Sequence, residues 1–118
     1  MRALRGATTV ESDTEYAITA GVQELIGQML DRNGVAVDDL ISIVFTATDD
    51  LTAIFPATPA RRMGLGSVPL LSARELSVPH GTPRCIRVLM HLTTERSSAE
   101  LRHVYLEGAR GLNDDLPV

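Results

Sequence analysis

The chain has 118 residues, a net charge of −4 and no lysine, so all 11 of its basic side chains are arginines. That length holds one domain and excludes two, and the acidic balance, without a basic stripe interleaved with aromatics, argues against a nucleic-acid surface. With 44% apolar residues, 3% aromatics and no Trp, the core must be built from Leu, Val, Ile, Ala and Met, and so small a core is often completed by oligomerisation.

Ala3 to Val10 reads as a first strand. Ser12-Asp13-Thr14-Glu15 fits a capping box, with a Ser oxygen for the first free amides and a Glu three residues on. The following segment carries Ile18, Val22, Leu25, Ile26, Met29 and Leu30 on one face at helical period, and Asn33-Gly34 supplies a left-handed stop. Leu40 to Ala47 is rich in β-branched residues and reads as a second strand. Thr48-Asp49-Asp50 is a candidate cap for a short turn. Phe55-Pro56-Ala57-Thr58-Pro59 reads as a proline-stiffened loop, and Arg61-Arg62 as part of a short helical piece. Ser67 to Ser72 forms a third strand, with Pro69 placing it near an edge or a strand start. Val78 to Pro83 is a loop, Arg84 to Leu92 a fourth strand, and Ser97-Ser98-Ala99-Glu100 a cap for another turn. Residues 101–112 fit two patterns: Leu101, Val104, Tyr105 and Gly108 at helical spacing, or an alternating strand through Val104 to Ala109, with Gly108 and Gly111 weakening a long helix. The pattern is α+β: one main helix over a mixed sheet, as a single domain over residues 1–112. Residues 113–118, acidic and containing Pro, form an expected mobile tail.

One residue stands out chemically. Arg87 sits inside Cys85-Ile86-Arg87-Val88-Leu89-Met90-His91-Leu92, a run that otherwise reads as a buried strand. A guanidinium keeps its charge wherever it is placed, so either a carboxylate of the protein or a ligand anion must face it. The lone Cys85 allows no internal disulfide and fits a reducing compartment. No signal peptide and no bilayer-spanning stretch is visible, so a cytoplasmic location is expected, with no membrane partner. His80, His91, His103 and Cys85 lack metal-ligand spacing, and no phosphate loop or dinucleotide fingerprint occurs, so neither metal nor cofactor is expected.

Four segments in order then carry a resemblance: Leu4-Arg5-Gly6-Ala7-Thr8-Thr9-Val10, Ala53-Ile54-Phe55-Pro56-Ala57, Cys85-Ile86-Arg87-Val88 and Arg102-His103-Val104-Tyr105-Leu106-Glu107. Their order and spacing resemble the monofunctional, Bacillus-type trimeric chorismate mutases, the α/β kind rather than the all-helical kind, from residue 2 to about residue 112. The resemblance implies a five-stranded mixed sheet packed on one long helix, three subunits closing a pseudo-α/β-barrel, and residues 103–112 as the fifth strand. It implies clefts between subunits in which chorismate rearranges to prephenate, a step toward phenylalanine and tyrosine, without cofactor or metal.

By the same resemblance, Arg5 pairs with a substrate carboxylate, and Phe55 and Ala57 wall the cleft. Leu70, Leu71 and Ser72 line the ring, Glu75 binds the ring hydroxyl, Arg87 reaches the ether oxygen, and Tyr105 lies near the side-chain carboxylate. Arg87, Glu75 and Arg5 are the expected catalytic set, and Leu112 belongs to the expected binding set. Two positions depart from the pattern: Thr58 stands where relatives can have a Lys, and Asn113 where they can carry an Arg that closes over the substrate. Arg61 and Arg110 are near enough in sequence to be candidates for restoring that charge. Two other classes compete with the mutase: a non-catalytic trimer binding an anionic metabolite, and an imine deaminase-like enzyme on a similar trimeric fold.

Overall fold

The computed structural model describes residues 1–115. Seven strands and α-helices follow in chain order among the described residues: β1 (Arg2–Thr9), α1 (Glu15–Asn33), β2 (Leu40–Ala47), α2 (Ala57–Ala60), β3 (Leu70–Arg74), β4 (Cys85–Leu92) and β5 (Val104–Tyr105), with short 3-10 turns and one π turn, Arg61–Leu65, between them. The strands form one five-stranded sheet in the order β3-β2-β4-β1-β5. Strand β4 is antiparallel to both β1 and β2, whereas β3 runs parallel to β2 and β5 parallel to β1. Pro69 therefore introduces an edge strand, where a missing donor costs no ladder bond.

One face of the sheet carries the core. Ile18, Val22, Leu25, Ile26 and Met29 of α1 are buried against Leu4, Ile43, Phe45, Ile86, Val88, Met90 and Leu92 of the strands. The helix lies so close to β1 that a Cβ at Gly6 would fall 2.5 Å from Met29 Sδ. Gly34 closes α1 in the left-handed region, φ +60°, as its sequence signal requires.

Three local expectations are corrected. The cap of α1 is Thr14, whose Oγ1 accepts from Ala17 N–H at 3.1 Å, while Ser12 only touches the Thr14 hydroxyl. Asp13 is occupied elsewhere: its carboxylate accepts from Thr52 N–H, Thr52 O–H and Ala53 N–H, all within 2.9 Å, which holds its pKa below the ordinary value. The segment read as a proline loop is the helical turn α2; Pro56 at its N-cap and Pro59 in its first turn sit where no intrahelical donor is needed. The fifth strand is two residues long, not ten. Leu106 N–H still bonds Ala7 C=O, but Glu107 has φ +51°, which turns the chain out of the sheet and into a 3-10 helix over Glu107–Asp115. Of the tail expected over 113–118, residues 116–118 lie outside the described residues.

Asn33 ties the ends of this layout together. It is 1% exposed, its Nδ2 donates to Met29 C=O and Arg102 C=O at 2.9 Å, and its Oδ1 accepts from Arg102 N–H at 2.7 Å. One amide thus fastens the end of α1 to the segment that delivers β5. Asn33→Ala is expected to lower stability by about 2–3 kcal/mol, because both backbone groups of Arg102 lose their partner; a denaturant-unfolding midpoint equal to that of the parent chain would contradict this.

Candidate active site

The sheet face opposite α1 has no covering layer among the described residues. Alternation along β4 places Arg87, Leu89 and His91 there, between Val44 and Thr46 of β2 and Arg5 of β1. Leu71 and Leu89 remain 60% and 38% exposed. On this face Arg5, Glu75, Arg87 and Tyr105 line one cleft of about 310 Å³, together with Val44 and Thr46. Four residues distributed over a hundred positions of sequence are brought together because β4 pairs on both sides and β5 returns beside β1.

Arg87 meets a carboxylate of its own chain. Its Nε lies 3.5 Å from Glu75 Oε1, near enough for charge attraction but long for a hydrogen bond, and that nitrogen is shielded from solvent without a hydrogen-bond partner. The rest of the side chain is open, 42% exposed. Glu75 follows β3 directly and is anchored twice: its N–H donates to Ala47 C=O at 3.0 Å, and its Oε2 accepts the Thr46 hydroxyl at 2.5 Å. The fork of Arg87 is thereby steered by a fixed negative charge, with donors left over for an incoming anion.

Arg5 is exposed beside the same cleft. Its backbone N–H donates to His103 Nδ1 at 3.0 Å, just ahead of the Gly6–Val104 bridge that begins the β1–β5 pairing. Burial, and then the Arg5 charge, hold the His103 pKa below its ordinary 6.5. Tyr105 packs with Leu112 against the small buried cluster of Ala7, Cys85 and Ala109, so Leu112 stands next to the cleft. Burial pushes the Cys85 thiol up, with Arg87 opposing in part, which makes it a packed apolar group rather than a nucleophile.

The remaining expected residues lie elsewhere. Phe55, 72% exposed, and Ser72 line a second cleft of about 520 Å³ with Thr52, Ile54 and Arg74; it shares no lining residue with the first. Ser72 Oγ accepts from Ala57 N–H at 3.2 Å, which fixes the start of α2 against β3, and Ala57 itself is buried. Leu70 packs on the core side and Leu71 on the open side of β3. Thr58 lines neither cleft, and neither do Arg61 and Arg110, both exposed. The side chain of Asn113 lies outside the described residues. Sequence reasoning missed Thr46, Val44 and His103: their places depend on strand register, for which the chain carries no local signal.

Comparison with known proteins gives a consistent result. Residues 1–116 match the family model for chorismate mutase type I. The chain is 48% identical to the chorismate mutase AroH of Thermus thermophilus over 98% of this chain and 96% of that protein. It is 38% identical to the chorismate mutase AroH of Bacillus subtilis over 98% of this chain and 92% of that one. A solved structure of a chorismate mutase from Clostridium thermocellum superposes with a TM-score of 0.91 at 46% identity, covering 93% of this chain and 98% of that one.

His103 gives the site's framework an acid limit. Its Nδ1 can accept from Arg5 N–H only in the neutral ring. Because its pKa is lowered on folding, this contribution to stability is complete above about pH 6.5 and is lost as pH falls through the lowered folded-state value. The thermal midpoint should therefore drop between pH 7.5 and pH 5 more steeply for the parent chain than for His103→Phe. Parallel pH dependences for the two proteins would refute the role.

Proposed function

This chain belongs to the chorismate mutase type I family, and on that premise we propose that the Arg5, Glu75, Arg87 and Tyr105 cleft is where it converts chorismate to prephenate. The observation that carries the assignment is the convergence of these four side chains, drawn from three strands and the loop after a fourth, around one cleft with a part-open Arg87 in it. The other two classes weighed from sequence, a metabolite binder and a deaminase, have no comparable support in the comparisons.

The reaction is an intramolecular [3,3] rearrangement: one C–O bond breaks as one C–C bond forms, and no proton moves. It requires no nucleophile and no acid–base pair, which fits a cleft built from arginines, a carboxylate, a phenol and apolar walls. Two effects remain to lower the barrier. Arg5 and Tyr105 grip the carboxylates of a flexible dianion and hold it in a compact, chair-like conformer. Arg87 presents fixed positive charge where negative charge grows, at the ether oxygen, and Glu75 orients that charge while binding the ring hydroxyl. A millionfold acceleration corresponds to roughly 8 kcal/mol. One preorganised charged contact supplies about 3–4 kcal/mol, so conformer selection must supply much of the rest.

The working unit is a homotrimer whose clefts lie between neighbouring subunits. Two observations support this reading. One helix covers one face of the sheet, and the other face presents Leu71 and Leu89 to solvent in the single chain. The expected site residues also divide between two separate clefts, one holding Arg5, Glu75, Arg87 and Tyr105 and one holding Phe55 and Ser72. A neighbour's Phe55 and Ser72 side would complete the wall that the first cleft lacks.

Turnover is tested by following loss of chorismate absorbance with prephenate as product; absence of turnover by the parent chain would favour the metabolite binder. Arg87→Ala should lower kcat by about 100-fold or more, with a smaller change in KM, the loss expected for a donor that acts on the transition state. Arg87→Lys should also be poor, since a point charge does not reproduce the fork. A kcat for the Ala variant within threefold of the parent would rule out the role. Light scattering coupled to size exclusion should report three chains per particle, and a fully active monomer would contradict shared clefts.

A further inference from the structure

We propose that Thr46 is a positioning residue of this cleft, acting through Glu75; the inference rests on the functional reading above and adds a residue to it. Thr46 lies on β2, paired with Arg87 of β4 on one side and Ala73 of β3 on the other. It is the residue between the cation and β3, the strand that Glu75 directly follows. Its hydroxyl donates to Glu75 Oε2 at 2.5 Å, leaving Oε1 to face Arg87 Nε at 3.5 Å. The two carboxylate oxygens are thus given separate tasks: one is tied to the sheet, the other is turned toward the guanidinium and the cleft.

Glu75 needs such a tie. It stands just beyond the last residue of β3, in a segment without regular structure, and its side chain is 26% exposed. The bond from its N–H to Ala47 C=O fixes its backbone but none of its side-chain torsions. A Glu side chain fixed only at its backbone samples several rotamers, most of which turn the carboxylate away from Arg87. The Thr46 hydroxyl selects the rotamer that keeps Oε1 on Arg87. Because Thr46 is held by backbone pairing on both sides, the strands themselves set where that carboxylate sits.

The substitution that isolates this is Thr46→Val, which keeps the β-branched shape suited to a strand and removes only the hydroxyl. The chemical assay should show kcat/KM lower by roughly tenfold or more, the scale of a lost hydrogen bond to a charged group, with kcat carrying most of it. Thr46→Ser should recover most of the loss. In a Glu75→Ala background the same Thr46→Val change should cost less than twofold, because its target is gone. An equal loss in both backgrounds, or a Thr46→Val enzyme within twofold of the parent, would overturn the proposal. If the parent chain itself shows no turnover, the functional reading fails but this one is still decided. The carboxyl carbon resonance of Glu75 in labelled protein should then move in Thr46→Val and stay near its parental position in Thr46→Ser; an unmoved resonance in the Val variant would overturn it.

Discussion

Everything in this molecule follows from the two-sidedness of strand β4. Ile86, Val88, Met90 and Leu92 enter the core, and the alternate residues Arg87, Leu89 and His91 face the other way. Since β4 is the middle strand and pairs along both edges, that alternation cannot slip by one residue without driving Arg87 under α1. A permanently charged side chain is therefore fixed in position by the burial of its neighbours. The stability of the core and the placement of the charge are one constraint, expressed on two faces.

The electrostatics build outward from it. Glu75 compensates Arg87 only partly, at a distance that attracts without saturating the fork. Thr46 and Ala47 hold Glu75 from the adjacent strand. Arg5 and Tyr105 arrive from β1 and β5, whose parallel pairing starts beside the His103 acceptor. Each charged or phenolic group is thus carried by, or tied to, a paired strand, so little rearrangement is needed when charge develops on a bound molecule. Such preorganisation is what a reaction without proton transfer must rely on.

Much of this was legible in the sequence, and the failures have physical causes. Helix α1 announced itself through the spacing of Ile18 to Leu30 and the Asn33-Gly34 stop, and β2 at Leu40–Ala47 through its β-branched residues. Thr14 and not Ser12 is the cap because the helix starts at Glu15, while Asp13 is held by Thr52 and Ala53, a contact between distant parts of the chain. The Pro56–Pro59 pair misled because proline opposes helix interiors and not first turns. The short β5 could not be read, since Glu107 adopts a positive φ for which glycine is the usual signal. For the site, the motif segments carried Arg5, Arg87 and Tyr105, and the family resemblance added Glu75, which lies outside those segments. Their convergence, and the parts taken by Thr46 and His103, depend on register across strands, which no local pattern encodes.

The pairing of β1 has a consequence for the order in which the protein is made. This strand leaves the ribosome well before its partners: β4 begins at Cys85 and β5 at Val104. Until β4 and β5 have been made, Arg2–Thr9 has neither of the strands it pairs with, and α1 lacks part of the surface it packs on. A sheet of this topology cannot build up strand by strand from β1; it closes only once β4 and β5 are both available, in a concerted step. During that interval the unpaired edge of β1 is a template for any other extended segment nearby, including that of a sister chain on the same message. The strand order that brings the cleft residues together therefore also leaves a period of exposure at every round of translation, one that ends only when β5 docks beside β1.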